Sequence, residues 1–365
     1  MSRSQPAFDL PDFPWDSLAG ATERAKAHPD GIVDLSVGTP VDPVPAVVRA
    51  ALAGPAADEP GYPTTHGPLA LRTAIAGSLD RRFGVTVDPQ AVLPTIGSKE
   101  LVAWLPTLLG LGPGDTVLIP ELAYPTYEVG VQLARATAVR SDAVTAVGPG
   151  RVSLIWVNSP SNPTGRVLPV EHLAKVVEFA RERGAVVASD ECYLSLSDGA
   201  PSILSPQVCG GSFEGLLAVH SMSKTSNLAG YRAGFVTGDP ALVAGLLEVR
   251  KHAGMIVPRP VQEALRVAMS DDEHVAEQRE RYRARREVVR QALDAAGFRV
   301  DHSEAGLYLW ATADEPGRRT VERLAELGIL VAPGEFYGPA GARHVRIGLT
   351  ASDERISAAA DRLAG

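Results

Sequence analysis

Residues 152–193 read VSLIWVNSPSNPTGRVLPVEHLAKVVEFARERGAVVASDECY. Two runs rich in β-branched residues, VSLIWVN and AVVASD, flank a segment with apolar residues at helical spacing, residues 171–184. The two runs are apolar rather than alternating, which is typical of strands that helices cover on both faces. The glycine at the end of the middle segment indicates a helix C-terminus. The stretch therefore predicts one strand–helix–strand unit of a parallel sheet.

Similar runs extend this unit in both directions between residues 91 and 238. They are AVLPTIG, TVLIPE and ATAVRSD before it, and LLAVHS and GFVTG after it. Together the seven runs predict an α/β fold with a mostly parallel seven-stranded sheet. After about Pro258 the pattern changes to an arginine-rich helix over 277–293, followed by short strands and another helix, which indicates a smaller α+β domain. We expect a large domain over residues 36–257 and a small domain formed by residues 1–35 and 258–365.

Composition excludes several classes of protein. The net charge of -8 over 365 residues lacks the basic surface that nucleic acids or anionic membranes require. The longest uncharged apolar stretch, residues 101–112, is too short to cross a bilayer and contains Pro106, so it predicts a buried helix. Cys192 and Cys209 cannot build a disulfide framework, and no metal-ligand spacing occurs. With no secretory signal at the start, we expect a cytoplasmic protein that binds no nucleic acid, membrane or metal.

Polar residues follow the apolar runs, at the strand ends where open α/β sheets bind their ligands. The lysine at 224 stands out, because the chain contains thirty arginines and only five lysines. An amine can lose its proton and attack a carbonyl, whereas the pKa of a guanidinium stays above about 12. Lys224 is therefore a Schiff-base candidate, although the short pattern SxSK alone also fits an exposed loop lysine.

The segment SMSKTSNLAGYRAG, residues 221–234, resembles the cofactor-lysine signature of fold-type I pyridoxal-phosphate (PLP) aminotransferases. The segments GYPTTHGPLALR (61–72), NPTG (162–165), SDECY (189–193) and RIGL (346–349) match the same family in the same order. The resemblance extends from about residue 34 to the end. It implies a fold-type I PLP-transferase, amino-acid and oxo-acid substrates, and a homodimer with shared active sites.

The resemblance also implies roles around the cofactor ring. Lys224 would bind PLP covalently and then move the substrate proton, while Asp190 would keep the pyridine nitrogen protonated so that the ring can accept charge. Asn162 and Tyr193 would hydrogen-bond the phenolic oxygen, and Tyr124 would stack on the ring. From the residues alone, alternatives stay open. Asp190 could also be a helix N-cap or part of a buried ion pair, and Asn162 and Tyr193 could be turn residues. Tyr124 could be a buried core residue.

For the phosphate, the resemblance implies a cage at a helix N-terminus, where backbone N–H groups and positive charge meet. Its members would be Gly97, Ser98, Lys99 (through its main chain), Ser221, Ser223 and Arg232. Tyr62 would reach the phosphate of the neighbouring subunit across a dimer interface.

Arg346 would hold the substrate α-carboxylate by a planar two-point contact, assisted by Gly38 and Asn162. Taken alone, Arg346 fits a surface ion pair equally well. Because Arg346 and Gly38 lie outside the central run of the large domain, we expect the substrate between the domains and closure of the small domain on it.

Within the family, the segments FDLPDFPWDSL, YPTTHGPLALR and SMSKTSNLAGYR are most similar to actinobacterial succinyldiaminopimelate transaminases of lysine and diaminopimelate biosynthesis. This implies glutamate as the amino donor and N-succinyl-2-amino-6-oxopimelate as the acceptor, with a distal arginine or backbone donor at its succinyl end.

Three alternatives stay open. One is an aspartate, aromatic or alanine transaminase, and a second is a C–S lyase that would share Lys224 and Asp190. A third is a non-catalytic regulatory module, which the presence of every reactive position and the lack of a basic helix-turn-helix extension disfavour.

Overall fold

A computed structural model of the chain describes residues 10–148 and 150–365. The strands of this part of the chain are β1 (Val33–Asp34), β2 (Val92–Ile96), β3 (Thr116–Ile119), β4 (Thr137–Arg140), β5 (Leu154–Asn158), β6 (Val186–Asp190), β7 (Leu216–Ser221), β8 (Ala233–Gly238), β9 (Arg299–Asp301), β10 (Tyr308–Thr312), β11 (Ile329–Leu330), β12 (Ala332–Pro333) and β13 (Val345–Gly348). Its α-helices are α1 (Ala19–Lys26), α2 (Ala46–Leu52), α3 (Leu69–Phe83), α4 (Gly97–Leu108), α5 (Thr126–Leu133), α6 (Val170–Arg183), α7 (Pro206–Cys209), α8 (Pro240–His252), α9 (Arg259–Ser270), α10 (Glu273–Ala295), α11 (Gly317–Glu326) and α12 (Asp353–Ala364).

The seven predicted strands form one sheet in the order β2-β8-β7-β6-β5-β3-β4. Strands β3 to β7 pair in parallel, whereas β8 is antiparallel to both of its neighbours, β7 and β2. A parallel return from β7 to β8 would require a crossover connection with a helix, and the segment between the two strands contains no helix. The predicted α/β fold with a mostly parallel seven-stranded sheet is therefore confirmed.

Helix α6 shows why the sequence was informative here. Its apolar residues Leu173, Val176, Val177 and Ala180 are buried against the sheet. The helix ends before Gly184, whose φ of 63° is the left-handed conformation that a glycine adopts without steric cost. The predicted helix over 171–184 agrees with the observed bounds to within one residue.

The second sheet, in the order β12-β13-β10-β9, is antiparallel. It forms a separate core with α10, α11 and α12, and Leu18 and Ala25 of the N-terminal segment pack into the same core. Val261 and Leu265 of α9, by contrast, belong to the core of the large sheet, where α9 packs on α2 and α3. The predicted boundary after residue 257 stays a prediction, and we propose that the large domain continues through α9.

The apolar stretch 101–112 lies largely in α4, whose Leu101, Val102 and Leu105 are buried. Among the described residues, no helix is both long enough and apolar enough to span a membrane.

Helices α4 and α5 approach each other closely at Gly130. A Cβ atom added to Gly130 would lie 2.8 Å from the carbonyl oxygen of Val102 and 2.9 Å from that of Ala103. The contact positions two parts of the site described below, because α4 begins at Gly97 and α5 carries Tyr127.

We predict that Gly130→Ala lowers the free energy of unfolding by about 1–3 kcal/mol, because the new methyl group overlaps backbone that cannot move aside. Gly245→Ala in α8 is the matched control, since nothing lies within 4 Å of the added atom, and it should stabilise by about 0.5–1 kcal/mol. Denaturant unfolding of both variants tests this, and equal stabilities would contradict it.

Candidate active site

A cavity of about 610 Å³ opens at the carboxyl ends of the parallel strands, a size typical of small-molecule sites. It brings together most of the predicted site residues: Gly38, Ser98, Lys99, Tyr124, Asn162, Asp190, Tyr193, Ser221, Ser223, Lys224, Arg232 and Arg346. Gly97 lies at its edge, against Arg232. Tyr62 lies outside the cavity, with its side chain 94% exposed.

The first residues of α4 form a cradle for an anion. Gly97 has a φ of 70°, and a Cβ atom there would overlap the guanidinium of Arg232. Arg232 itself has a φ of 59°, a conformation that is uncommon for a residue with a side chain and that clusters at functional sites. Its Nη1 donates to the carbonyl of Ala229 at 2.8 Å. A glycine-bounded helix N-terminus beside a held guanidinium fits a phosphate group.

Asp190 ends β6 and is buried. Its carboxylate accepts hydrogen bonds from the hydroxyl of Tyr127 at 2.8 Å and from the backbone N–H of Cys192 at 3.2 Å. Burial raises the pKa of Asp190, and these hydrogen bonds oppose the rise. No cationic side chain of the described residues lies within 4.0 Å of this carboxylate. A protonated ring nitrogen would supply the missing positive charge.

Lys224 lies three residues beyond the end of β7, in the same cavity. Burial lowers the pKa of its ammonium group, and the positive charges of Arg346 and Arg232 lower it further against the opposing effect of Tyr308. A lowered pKa increases the neutral fraction of the amine, which is the form that attacks a carbonyl and accepts a proton.

Asn158, at the end of β5, connects two predicted residues. Its Oδ1 accepts the backbone N–H of Asn162 at 2.7 Å, and its Nδ2 donates to the backbone carbonyl of Asp190 at 2.8 Å. The contacts of Asn158 hold the ends of β5 and β6 together. The hydroxyl oxygens of Tyr193 and Tyr308, which lies on β10 of the smaller sheet, are 3.3 Å apart.

Arg346 is buried on β13 of the four-stranded sheet and contacts the loop that follows β5 of the seven-stranded sheet. Its Nη1 donates to Oδ1 of Asn162 at 2.9 Å, and its Nη2 donates to the carbonyl of Ser36 at 2.6 Å. Its guanidinium carbon lies 4.0 Å from the ring centroid of Tyr308, and its Nε has no hydrogen-bond partner among the described residues. A buried, oriented guanidinium of this kind suits the planar carboxylate of an amino acid.

Sequence reasoning missed several residues that line the cavity or contact Asp190 from behind it. Asn158 and Tyr127 both left a signal, because Asn158 ends an apolar strand and Tyr127 lies three residues after Tyr124. The sequence around Phe13 and Trp15 contains no comparable signal, because only the folding of the N-terminal segment brings these two side chains to the cavity. Other missed residues are Tyr308 and Cys192.

These features together suit one class of cofactor. An anion cradle, a buried carboxylate without a cation and an amine of lowered pKa match the phosphate, ring nitrogen and aldehyde of PLP, respectively. The fold and the site thus define a PLP-binding enzyme of fold type I.

Comparison with known proteins agrees with this. The family model for aminotransferase class I and II matches residues 30–363. A probable aminotransferase of Mycobacterium tuberculosis is 60% identical over 99% of this chain and 87% of its own length. The 4-dedimethylamino-4-oxo-anhydrotetracycline transaminase OxyQ of Streptomyces rimosus is 59% identical over 97% of this chain and 99% of its own.

A solved structure of a probable N-succinyldiaminopimelate aminotransferase from Thermus thermophilus superimposes with a TM-score of 0.87. It is 29% identical and covers 96% of this chain and 99% of its own. The chain therefore belongs to the class I and II aminotransferases, which are PLP-dependent. The predicted family, the fold-type I architecture and the PLP cofactor are confirmed.

The charge of Asp190 yields a stability prediction. Because its pKa is raised in the cofactor-free folded state, the folded state loses stability as pH rises through that pKa. Asp190→Asn should therefore raise the melting temperature of the cofactor-free protein at pH 7, and the gain should shrink as pH falls toward about 4. PLP should then stabilise this variant less than it stabilises the wild type.

Asp42→Asn is the control, and it should lower the melting temperature at pH 7 instead of raising it. Burial opposes the shift, but hydrogen bonds from Arg285 and Gln278 lower the pKa of Asp42 overall, so its ionised form stabilises the fold at neutral pH. Thermal unfolding at several pH values tests both variants. A lower melting temperature for cofactor-free Asp190→Asn at pH 7 would refute the assignment of an unpaired carboxylate.

Arg346→Lys should raise KM for amino-acid substrates by roughly 10- to 100-fold, because lysine keeps the charge but loses the two-point geometry. Charge-assisted hydrogen bonds contribute about 1.5–3 kcal/mol, and each 1.4 kcal/mol is tenfold. The control is Arg343→Lys, an exposed position just before β13. Steady-state kinetics decide, and an unchanged KM for Arg346→Lys counts against the carboxylate site.

Proposed function

We propose that this aminotransferase transfers the amino group of glutamate to N-succinyl-2-amino-6-oxopimelate, as a succinyldiaminopimelate transaminase of lysine and diaminopimelate biosynthesis. The observation that carries the proposal is the charge distribution in the cavity. Apart from Lys224, Arg232 and Arg346, one further cationic side chain, Lys99, lines it. A cavity with a cation beyond those for the phosphate and the α-carboxylate suits an acceptor that carries a second carboxylate at a distance from the first.

When bound, PLP would supply an electron sink for the negative charge that develops at the substrate Cα. Lys224 would hold the cofactor and, as a neutral amine, would accept the proton from the substrate Cα. Asp190, held by the hydroxyl of Tyr127, would keep a proton on the ring nitrogen. Arg346 would orient the α-carboxylate, so that the Cα–H bond faces the Lys224 amine.

The other predicted residues take supporting roles in this proposal. Asn162 and Tyr193 would hydrogen-bond the phenolic oxygen of the cofactor, Tyr124 would stack on its ring, and Gly38 would contribute backbone to the substrate carboxylate site. The phosphate would bind at Gly97, Ser98, the main chain of Lys99, Ser221, Ser223 and Arg232.

Lys99 is the group that would meet the distal end of the acceptor. Its Nζ lies 5.8 Å from the ring centroid of Phe13, and no carboxylate of the described residues lies within 4.0 Å of it. Partial burial and the charge of Arg232 lower its pKa. The cavity contains no third arginine among the described residues, so this lysine takes the place of the distal arginine considered from the sequence.

A second candidate follows from the apolar side of the cavity. Pro11, Phe13, Pro14, Trp15 and Val37 line it, and OxyQ, similar over nearly the whole chain, is named as a transaminase of a tetracycline intermediate. These two facts support an aminotransferase that accepts a large cyclic ketone.

We further infer a homodimer in the cytoplasm. The exposed ring of Tyr62 lies outside its own cavity and would reach the phosphate site of a second copy. The two cysteines, Cys192 and Cys209, are both free thiols, as in proteins of a reducing compartment.

A substrate panel with glutamate as donor separates the candidates. We expect the highest kcat/KM, by at least about tenfold, with N-succinyl-2-amino-6-oxopimelate over oxaloacetate, phenylpyruvate, pyruvate and the oxo-tetracycline intermediate. Preference for the tetracycline ketone would favour the second candidate, and release of pyruvate and ammonia from cystathionine would indicate a C–S lyase. Absence of turnover with every compound would favour a regulatory module.

In the same panel, Lys99→Gln should raise KM for the succinylated acceptor about tenfold more than KM for pyruvate, which has no distal carboxylate. Lys175→Gln, at an exposed position of α6, is the charge-matched control. Equal KM changes for both acceptors would exclude Lys99 as the distal group. A loss of PLP affinity instead would place its side chain at the phosphate.

A further inference from the structure

A buried polar pair lies next to the two central residues of the site. Glu191 directly follows Asp190, the last residue of β6, and His220 precedes Ser221, the last residue of β7. Their exposed fractions are 2% and 5%. Oε2 of Glu191 lies 3.5 Å from Nε2 of His220, and neither atom makes a hydrogen bond to any described residue.

Several further contacts orient the two side chains, among them hydrogen bonds from the side chains of Ser202 and Ser189 to the carboxyl group of Glu191. Oε1 of Glu191 already accepts the backbone N–H of Ile203 at 2.7 Å. The imidazole of His220 stacks on Phe235, with ring centroids 4.7 Å apart, and a second ring, Phe83, lies 6.4 Å away. Both side chains are therefore oriented by contacts that do not involve the cavity.

The charge state of the pair follows from its burial. Burial raises the pKa of Glu191 to about 7, and the neighbouring charge of Asp190 adds to the rise. Burial and the charge of Arg82 lower the pKa of His220 to about 3. The imidazole is thus neutral at physiological pH, and the carboxyl group holds a proton at pH values below about 7. Two adjacent ionised carboxylates at 190 and 191 would repel each other in a dry environment.

We propose that Glu191 is a protonated carboxylic acid that donates a hydrogen bond to Nε2 of His220, and that this neutral pair positions Asp190 relative to Lys224. The pair connects the end of β6, which carries Asp190, to the end of β7, which precedes Lys224. The backbone follows the same connection, since the N–H of Glu191 donates to the carbonyl of Val219 at 2.9 Å. Because the pair is neutral, Asp190 remains the one negative charge offered to the cofactor nitrogen.

Infrared spectroscopy of the cofactor-free protein tests the charge state. At about pH 6, one unit below the pKa of Glu191, the wild type should show the C=O stretching band of a protonated carboxylic acid. Glu191→Gln should abolish this band, whereas Asp190→Asn should retain it, which distinguishes the two buried carboxyl groups. Loss of the band in Asp190→Asn, or its absence in the wild type, would overturn the proposal.

PLP binding tests the positioning role. Glu191→Gln keeps a neutral N–H donor of the same shape, so its Kd for PLP should stay within about twofold of wild type. Glu191→Ala and His220→Phe each remove one partner, so both should weaken PLP binding about tenfold and shift the pH midpoint of the visible band of bound PLP. Equal losses for Gln and Ala at 191 would show that an anion is needed there and would overturn the proposal. Should the alanine variant not fold, the Gln and Phe variants give the same decision.

Discussion

Burial of ionisable groups at the carboxyl edge of the large sheet is the constraint on which the site depends. Removing water raises the pKa of Asp190 and lowers that of Lys224, so both groups are less charged than they would be in solution. Shifts of this kind cluster at functional sites because catalysis requires groups that exchange protons near neutral pH. In this protein the shifts come from the fold itself, because the side chains of Asp190 and Lys224 are buried where strands of the large sheet end.

Hydrogen bonds at the cavity connect the two larger sheets. Arg346 comes from the four-stranded sheet, and its hydrogen bonds go to Asn162, which follows β5 of the seven-stranded sheet, and to the carbonyl of Ser36. Asn158 in turn connects the backbone N–H of Asn162 to the backbone carbonyl of Asp190. The residues predicted for the substrate carboxylate and for the cofactor therefore belong to one connected set of hydrogen bonds.

How much of this could be predicted depends on the residue types involved. Most of the seven strands were predictable because their apolar runs are buried on both faces, although the edge strand β4 is only partly buried. The reversed direction of β8 was not predictable, since a run of apolar residues carries no direction. The places of Lys224 and Asp190 at strand ends were predictable because both follow buried apolar runs, whereas their roles rest on the resemblance to the family and stay predictions. Tyr127 and Asn158 were missed because tyrosine and asparagine have common structural uses. Helix α9 lies just after the change in sequence pattern near Pro258 and was therefore predicted to belong to the small domain. Its packing against α2 and α3, in the core of the large sheet, could not be predicted from that change.

The central claim is that the amine of Lys224 forms the covalent bond to the cofactor. Borohydride reduction of the PLP-bound protein, followed by proteolysis and mass spectrometry, measures this directly. The account predicts a reduced phosphopyridoxyl group on the peptide that contains Lys224 and on no other lysine. A label on Lys99, on another lysine or on no peptide would contradict it.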